Sequence, residues 1–180
     1  MVKKLKKKKS SKLKKVTGKK SVKLKAKKVS PIPKGYHTVT PYLIVNGGMQ
    51  AIEFYKKAFG AKAGICMAHD GKLGHAELTI GTSKIMLSDG CPDMKISSPK
   101  EFGGSPVSIC LYVKDVDAVV KRAVGAGAKL IRAVENQFYG DRSGGVEDPF
   151  GHQWYIATHV EDLTKSQLRK RAEAFQKKSP

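Results

Sequence analysis

Two stretches of the chain carry side chains whose types and spacing could do chemistry. The first, residues 137–154, is dense in turn formers, aromatics and charges. Its Glu147-Asp148-Pro149-Phe150-Gly151 segment predicts a tight turn, because proline presets φ and glycine accepts a left-handed conformation. We therefore expect a hairpin of two strands, 137–146 and 152–158. It would bring together the candidate substrate-binding residues Tyr139, Asp141, Arg142, His152 and Trp154.

The candidates in this hairpin have competing interpretations. Asp141 and Arg142 are adjacent, so on a straight strand they face opposite sides. Arg142 could bind a carboxylate or phosphate through two parallel hydrogen bonds, or it could pair with an acid and lock the hairpin. Trp154 shares a face with His152 and Ile156, which is typical of a core residue or a pocket wall.

The second stretch is the apolar run 73–80, which contains His75 and Glu77. These two residues have the same strand parity, so both point to one face about 7 Å apart and could share an ion or a proton. A buried carboxylate without a partner is costly. Glu77 is therefore a candidate catalytic base, and His75 with Glu77 is a candidate metal pair. The alternative is that Glu77 is a polar residue of a half-exposed strand.

The elements that must position these residues occur twice. A strand at 38–45, a helix ended by Gly60 and strands at 61–68, 73–80 and 84–88 form one unit. A strand at 107–113, a helix capped by Asp115, a strand at 128–134 and the hairpin form the other. The Gly74-His75 and Gly151-His152 steps are expected to open corresponding late strands. The order predicts an α+β fold of two βαβββ modules, about 38–89 and 106–159.

Charge divides the chain into three parts. Residues 1–34 contain 16 Lys and no acid, within a chain of net charge +20. Such a block of like charge predicts a disordered tail, which could bind nucleic acid without sequence preference or serve only solubility. Residues 35–160 are nearly neutral and are expected to form one domain. Residues 161–180 are expected to form a C-terminal helix.

Cysteine usage and hydropathy indicate the cellular compartment in which the protein is expected. The three cysteines Cys66, Cys91 and Cys110 show no paired spacing, so a disulfide framework is not expected. Cys66 and Cys110 lie in apolar strands and are expected to be buried. No apolar run approaches the roughly 20 residues that a membrane span requires. We therefore expect a cytoplasmic protein without a membrane partner.

Several of these segments together resemble the vicinal-oxygen-chelate superfamily of glyoxalase I, bleomycin-resistance proteins and extradiol dioxygenases. The similarity is greatest to its PhnB-like glyoxalase branch. It covers residues 36–160 and implies a cupped mixed sheet around a small-molecule pocket, and a homodimer. The segments that carry it are Thr40–Val45, Ala51–Tyr55, Gly74–Leu78, Phe138–Arg142 and Glu147–His152.

In metal-dependent members, four side chains bind a divalent ion and leave positions open for substrate oxygens. The four ligand positions correspond to Thr40, Glu77, Ser108 and a position near Tyr155. Of these, only Glu77 is a strong metal ligand, so the cofactor is unknown. One implied function is a glyoxalase-like lyase or isomerase acting on a small oxygenated substrate, which Tyr139 or Arg142 would orient. The alternative is a non-catalytic binder of a drug or metabolite. A third hypothesis is a basic nucleic-acid-associated protein.

Overall fold

The computed structural model describes residues 29–177, so most of the predicted Lys-rich tail lies outside the described residues. The described chain contains eight strands and three α-helices. In chain order they are β1 (Tyr42–Val45), α1 (Gly48–Phe59), β2 (Lys62–His69), β3 (Lys72–Ile80), β4 (Ser83–Asp89), β5 (Ser108–Tyr112), α2 (Val116–Gly125), β6 (Lys129–Asn136), β7 (Asp141–Glu147), β8 (Gln153–His159) and α3 (Lys165–Gln176).

The strands form two four-stranded sheets with the same topology. Their orders are β1-β4-β3-β2 and β5-β8-β7-β6. In each sheet the first pair, β1 with β4 or β5 with β8, is parallel, and the remaining pairs are antiparallel. The predicted α+β class with two βαβββ modules is therefore confirmed.

Helices α1 and α2 join the modules through one hydrophobic core. α1 packs on the first sheet, α2 on the second, and the helices pack on each other. Phe59 of α1 reaches Trp154 of β8, with ring centroids 4.5 Å apart. Asp115 caps α2 as predicted, since its carboxylate accepts a hydrogen bond from the Ala118 N–H at 2.9 Å. No helix within residues 29–177 is long and apolar enough to cross a membrane.

Each sheet has one face covered by a helix and one face that is open. On β3 the helix-covered residues are Leu73, Ala76, Leu78 and Ile80, and His75 and Glu77 alternate with them. We call the uncovered surfaces the first open face (β1 to β4) and the second open face (β5 to β8). Cys66 on edge strand β2 and Cys110 on the second open face are exposed. The prediction that both are buried was wrong, because no element covers them.

Two predicted strand boundaries shift for local reasons, and one predicted loop contains short helical turns. β1 begins at Tyr42 rather than at residue 38, because Pro41 has no N–H to donate, although its carbonyl accepts from Met86 N at 2.9 Å. Residues 137–140 form a turn rather than the start of β7, with Gly140 at φ +95°. The predicted loop 89–104 contains two 3₁₀ turns, Pro92–Met94 and Pro99–Phe102.

One predicted correspondence between the modules was wrong. Gly74-His75 lies inside β3, whereas Gly151-His152 precedes β8. Since β3 occupies the sheet position of β7, the two Gly-His steps do not open corresponding strands. A true correspondence appears at the helix starts. Asp89 accepts from Gly47 N and Gly48 N, and Thr158 Oγ1 accepts from Val116 N.

Candidate functional site

The turn between β7 and β8 is held by a buried carboxylate. Asp148 is 2% exposed. Its Oδ2 accepts hydrogen bonds from Tyr55 Oη at 2.8 Å and Trp154 Nε1 at 2.9 Å. Its Oδ1 accepts from the Phe150 and His152 N–H groups, both at 2.9 Å. This carboxylate ties the turn to α1 and places the Trp154 ring in the core rather than in a cavity.

Arg142 occupies the helix-covered side of the hairpin. Its guanidinium donates two hydrogen bonds of 2.7 Å to the Asp117 carboxylate on α2 and one of 3.3 Å to Asn136. The Arg142 guanidinium holds the pKa of Asp117 below its usual value. The observed contact is thus the structural ion pair considered above. The hairpin therefore does not gather all five candidates on one surface, since Arg142 and Trp154 lie on the opposite side from Asp141.

Asp141 anchors a polar cluster on the second open face. It is 5% exposed, and it accepts hydrogen bonds from Tyr112 Oη at 2.8 Å and from His159 Nδ1 at 2.7 Å. The bond to Asp141 raises the pKa of Tyr112 to about 12. Hydrogen bonds to Asp141 and then Asp162 raise the pKa of His159. Asp141 is therefore occupied by two strong donors, which leaves it little capacity for a ligand.

Tyr139 belongs to an adjacent hydroxyl cluster on the same face. Its hydroxyl is hydrogen-bonded to that of Tyr155, which is also bonded to Ser143 Oγ. Burial is the main cause of the raised pKa of Tyr139. The Arg132 guanidinium lies over the Tyr155 ring at 5.8 Å. Three hydroxyl groups and a guanidinium thus share this part of the sheet.

The first open face carries His75 and Glu77 as neighbours, as the strand parity predicted. His75 Nδ1 is hydrogen-bonded to Tyr42 Oη at 3.1 Å, and its Nε2 lies 3.9 Å from Glu77 Oε1. Lys84 Nζ lies 3.1 Å from Glu77 Oε2. The Tyr36 hydroxyl and then the Lys84 ammonium lower the pKa of Glu77.

The arrangement of His75, Glu77 and Lys84 does not fit a divalent ion of the kind that metal-dependent members of the resembled superfamily bind. The Lys84 ammonium already occupies the cation position beside Glu77, and a metal there would meet a like charge. Within residues 29–177, no group of three or more His, Cys, Asp or Glu side chains could hold a metal ion. His75 and Glu77 are therefore two potential metal ligands, and residues 29–177 supply no third one beside them.

A groove lies between the two sheets, where β1 and β5 each leave one edge unpaired. Its volume is about 530 Å³. Apolar residues dominate the walls, among them Leu43, Ile44, Pro99, Phe102 and Ile109. His152 lines it from the turn before β8, with Nε2 bonded to the Ile44 carbonyl at 3.0 Å. Tyr42 also lines the groove and connects it to His75 on the first open face.

Several residues of these clusters were missed from the sequence. Tyr42 and Lys84 complete the His75 and Glu77 cluster, and Tyr112, Tyr155 and His159 complete those around Asp141 and Tyr139. Strand parity could have found Tyr155, which alternates with the buried Trp154 and Ile156. Nothing local pairs Tyr112 with Asp141, because these residues lie on different strands.

Two curated proteins are similar to this chain over more than half of its length. A protein of Mycobacterium bovis described as uncharacterized is 43% identical over 135 residues, which span 73% of this chain and 89% of the relative. An uncharacterized protein of Arabidopsis thaliana is 34% identical over 115 residues, which span 59% of this chain and 69% of the relative.

Solved structures show the same fold. An Arabidopsis thaliana gene product is 31% identical with a TM-score of 0.56 and is matched over 98% of its length and 68% of this chain. TioX from Micromonospora is 22% identical, with a TM-score of 0.55 and the same two coverages. A mutant of the fosfomycin resistance protein FosX from Listeria monocytogenes, complexed with Mn(II) and 1S,2S-dihydroxypropylphosphonic acid, is 20% identical, with a TM-score of 0.54 over 74% of this chain and 94% of FosX.

The family comparison agrees with the topology and with the earlier resemblance. The sequence model of one superfamily matches residues 36–156, which run from before β1 into β8 and so span nearly all of both βαβββ modules. The chain belongs to the Glyoxalase/Bleomycin resistance protein/Dioxygenase superfamily.

Proposed function

We propose that the groove between β1 and β5 binds a small, uncharged molecule with an apolar body and oxygen substituents that contact Tyr42 and His75. The observation that carries this proposal is the continuity between an apolar groove and the polar cluster on the first open face. Tyr42 belongs to both, since it lines the groove and is bonded to His75 at 3.1 Å.

The size and lining of the groove support a small ligand. Its volume of about 530 Å³ lies in the usual range for ligand pockets, roughly 300 to 1,000 Å³. No Asp, Glu, Lys or Arg side chain lines it, so a charged ligand would lose hydration without gaining a partner. The FosX mutant, which has the same fold, is complexed with a small oxygenated molecule, although that molecule is a phosphonic acid and Mn(II) accompanies it.

Binding is supported better than the lyase or isomerase alternative. A general base works best when its pKa lies near the working pH. The pKa of Glu77 is lowered by Tyr36 and Lys84, which makes its carboxylate a weaker proton acceptor. Elemental analysis of protein purified without added metal tests the alternative. One ion per chain that is lost in Glu77→Ala would favour the metal-dependent enzyme and oppose simple binding.

Calorimetric titration with phenylethanediol tests the proposed binding, and phenylethanol, which lacks the second oxygen, is the matched probe. We expect the diol to bind more tightly. Tyr42→Phe should weaken diol binding about fivefold, which is the effect of one hydrogen bond of about 1 kcal/mol, and should leave phenylethanol unchanged. Tyr112→Phe makes the same change on the second open face and is the control. Absence of binding, or equal effects of the two substitutions, would contradict the proposal.

We also propose that a second copy of the chain covers the mouth of the groove. Phe102 and Val107, both groove-lining, are 73% and 65% exposed. Clustered apolar exposure beside unpaired strand edges is typical of an association surface. A two-fold dimer buries the same patch on both copies and would turn an open groove into an enclosed site.

A further inference from the structure

A second cavity lies apart from the groove, between the end of β6, the turn 137–140 and α3. Its volume is about 680 Å³. Two charged side chains, two amides and three aromatic rings line it. The superfamily match ends at residue 156, so α3 contributes a wall that lies outside the matched domain.

α3 is held by an ion pair near its middle and by an aromatic contact near its end. Thr164 and Gln167 form a capping box at its start. Arg171 donates two hydrogen bonds of 2.7 and 2.8 Å to Glu161. Near its end, the Phe175 ring lies 5.1 Å from that of Phe138. The helix buries no side chain completely, so it contributes little to the core, and Phe175, which is 53% exposed, lines one side of this cavity.

The two charges in the cavity have opposite sign. Arg132 and Glu135 lie on β6, opposite Gly145 and Ser143 of β7. Since these two partners are two positions apart on β7, they share a face. Arg132 and Glu135 therefore both belong to the second open face. Neither forms a salt bridge with the other or with any other residue of the described chain. The Tyr155 ring, 5.8 Å from Arg132, restrains the guanidinium by a cation–π contact.

The aromatic residues form a continuous wall beside these charges. The Phe138 ring meets Tyr139 edge to face, with centroids 5.2 Å apart and an interplanar angle of 84°. Phe138 and Phe175 are tilted by 30°. A further ring could pack against this wall in the offset or edge geometry that aromatic groups prefer.

We propose that this cavity binds an aromatic molecule carrying both a carboxylate and an ammonium group, the class of the aromatic α-amino acids. Arg132 would bind the carboxylate, Glu135 the ammonium group, and the ring would pack on Phe138 and Phe175. A ligand with only one charge leaves the opposite side chain unpaired and meets a like charge from the other. Opposed charges in one cavity therefore select for a zwitterion.

Calorimetric titration of the full chain with L-phenylalanine tests the proposal, and phenylpropionate and phenylethylamine are single-charge probes. We expect L-phenylalanine to bind about fivefold more tightly than either probe, which is the effect of one ion pair with an exposed side chain such as Arg132 or Glu135. Arg132→Ala and Phe175→Ala should each weaken L-phenylalanine binding by about the same factor. Glu135→Gln should remove the preference over phenylpropionate.

Matched controls separate the cavity from general charge and helix effects. Lys129→Ala removes a cation from the same strand, and Leu168→Ala removes an apolar side chain from α3. Neither residue lines the cavity, so both variants should bind like the wild type, as should Tyr42→Phe, which tests the groove independently. Equal binding of phenylpropionate, wild-type affinity in Arg132→Ala and Phe175→Ala, or no binding up to about 10 mM would each overturn the proposal.

Discussion

The Asp148 carboxylate accepts four hydrogen bonds, from α1, from β8 and from the turn that contains it. A buried anion is tolerated when donors surround it. The residue types at 147–152 are therefore explained by their structural role in this turn. Asp148 makes the turn, and Pro149 and Gly151 supply its backbone angles.

Replacement of Asp148 tests this structural role. Asp148→Asn removes the charge and turns an amide donor toward groups that are themselves donors. We expect the free energy of unfolding to fall by about 3 kcal/mol, measured by urea denaturation. Asp117→Asn, which changes an exposed partner of Arg142, is the control and should have a much smaller effect. Similar losses in the two variants would contradict the assigned role.

His159 makes stability depend on pH. Its folded-state pKa is raised by hydrogen bonds to Asp141 and Asp162. The stabilisation is therefore complete below the unfolded pKa of about 6.5 and is lost as the pH rises through the folded pKa. We expect His159→Gln to lower the urea midpoint more at about pH 5.5 than at about pH 8.5. An equal difference at the two pH values would refute this linkage.

At the scale of elements, the turn between β6 and β7 depends on one glycine. Gly140 has φ +95°, and a Cβ there would lie 2.4 Å from the Glu161 carbonyl oxygen. Both the backbone angle and the close approach exclude a side chain. The residues before β7 therefore turn away from the sheet, which places Phe138 and Tyr139 beside α3.

Gly140→Ala should destabilise the protein by about 3 kcal/mol, from backbone strain and a clash with backbone atoms. Gly125→Ala is the matched control. Gly125 lies at the end of α2, where a Cβ would have no atom within 4 Å, and the substitution should stabilise the protein by up to about 1 kcal/mol. Thermal unfolding followed by circular dichroism measures both. Equal melting temperatures for the two variants would show that the turn tolerates a side chain.

At the scale of the whole molecule, the proposed dimer predicts twice the chain mass in light scattering after gel filtration. Phe102→Asp should shift the mass toward the monomer, because a charge would be buried at the interface. Met94→Asp is the control, since Met94 is 66% exposed on the other 3₁₀ turn and does not line the groove. A monomeric wild type, or equal effects of both substitutions, would exclude this interface.

The Lys-rich segment 1–34 carries its own prediction. Its 16 lysines should bind nucleic acid weakly and without sequence preference, with affinity that falls steeply as salt rises. Filter binding over a salt series, with and without residues 1–34, measures this. Unchanged binding after the deletion would dismiss the nucleic-acid hypothesis.

The sequence by itself determined the local elements and their duplication. Gly60 ends α1 and Asp115 caps α2 because capping depends on a few neighbouring residues. Strand parity placed His75 and Glu77 on one face for the same local reason. Superfamily membership was also visible in short segments such as Glu147–His152.

Only the tertiary structure decided which partner each side chain meets. Asp117 lies 25 positions from Arg142, and Tyr112 lies 29 positions from Asp141, so no local pattern pairs them. Lys84 reaches Glu77 across a hairpin and places its ammonium group at the position that a metal ion bound to Glu77 would occupy. The exposure of Cys66 and Cys110 depended on which sheet faces the helices cover. Partner and burial are properties of packing between distant segments, and the hydrophobic core that joins the two modules determines both.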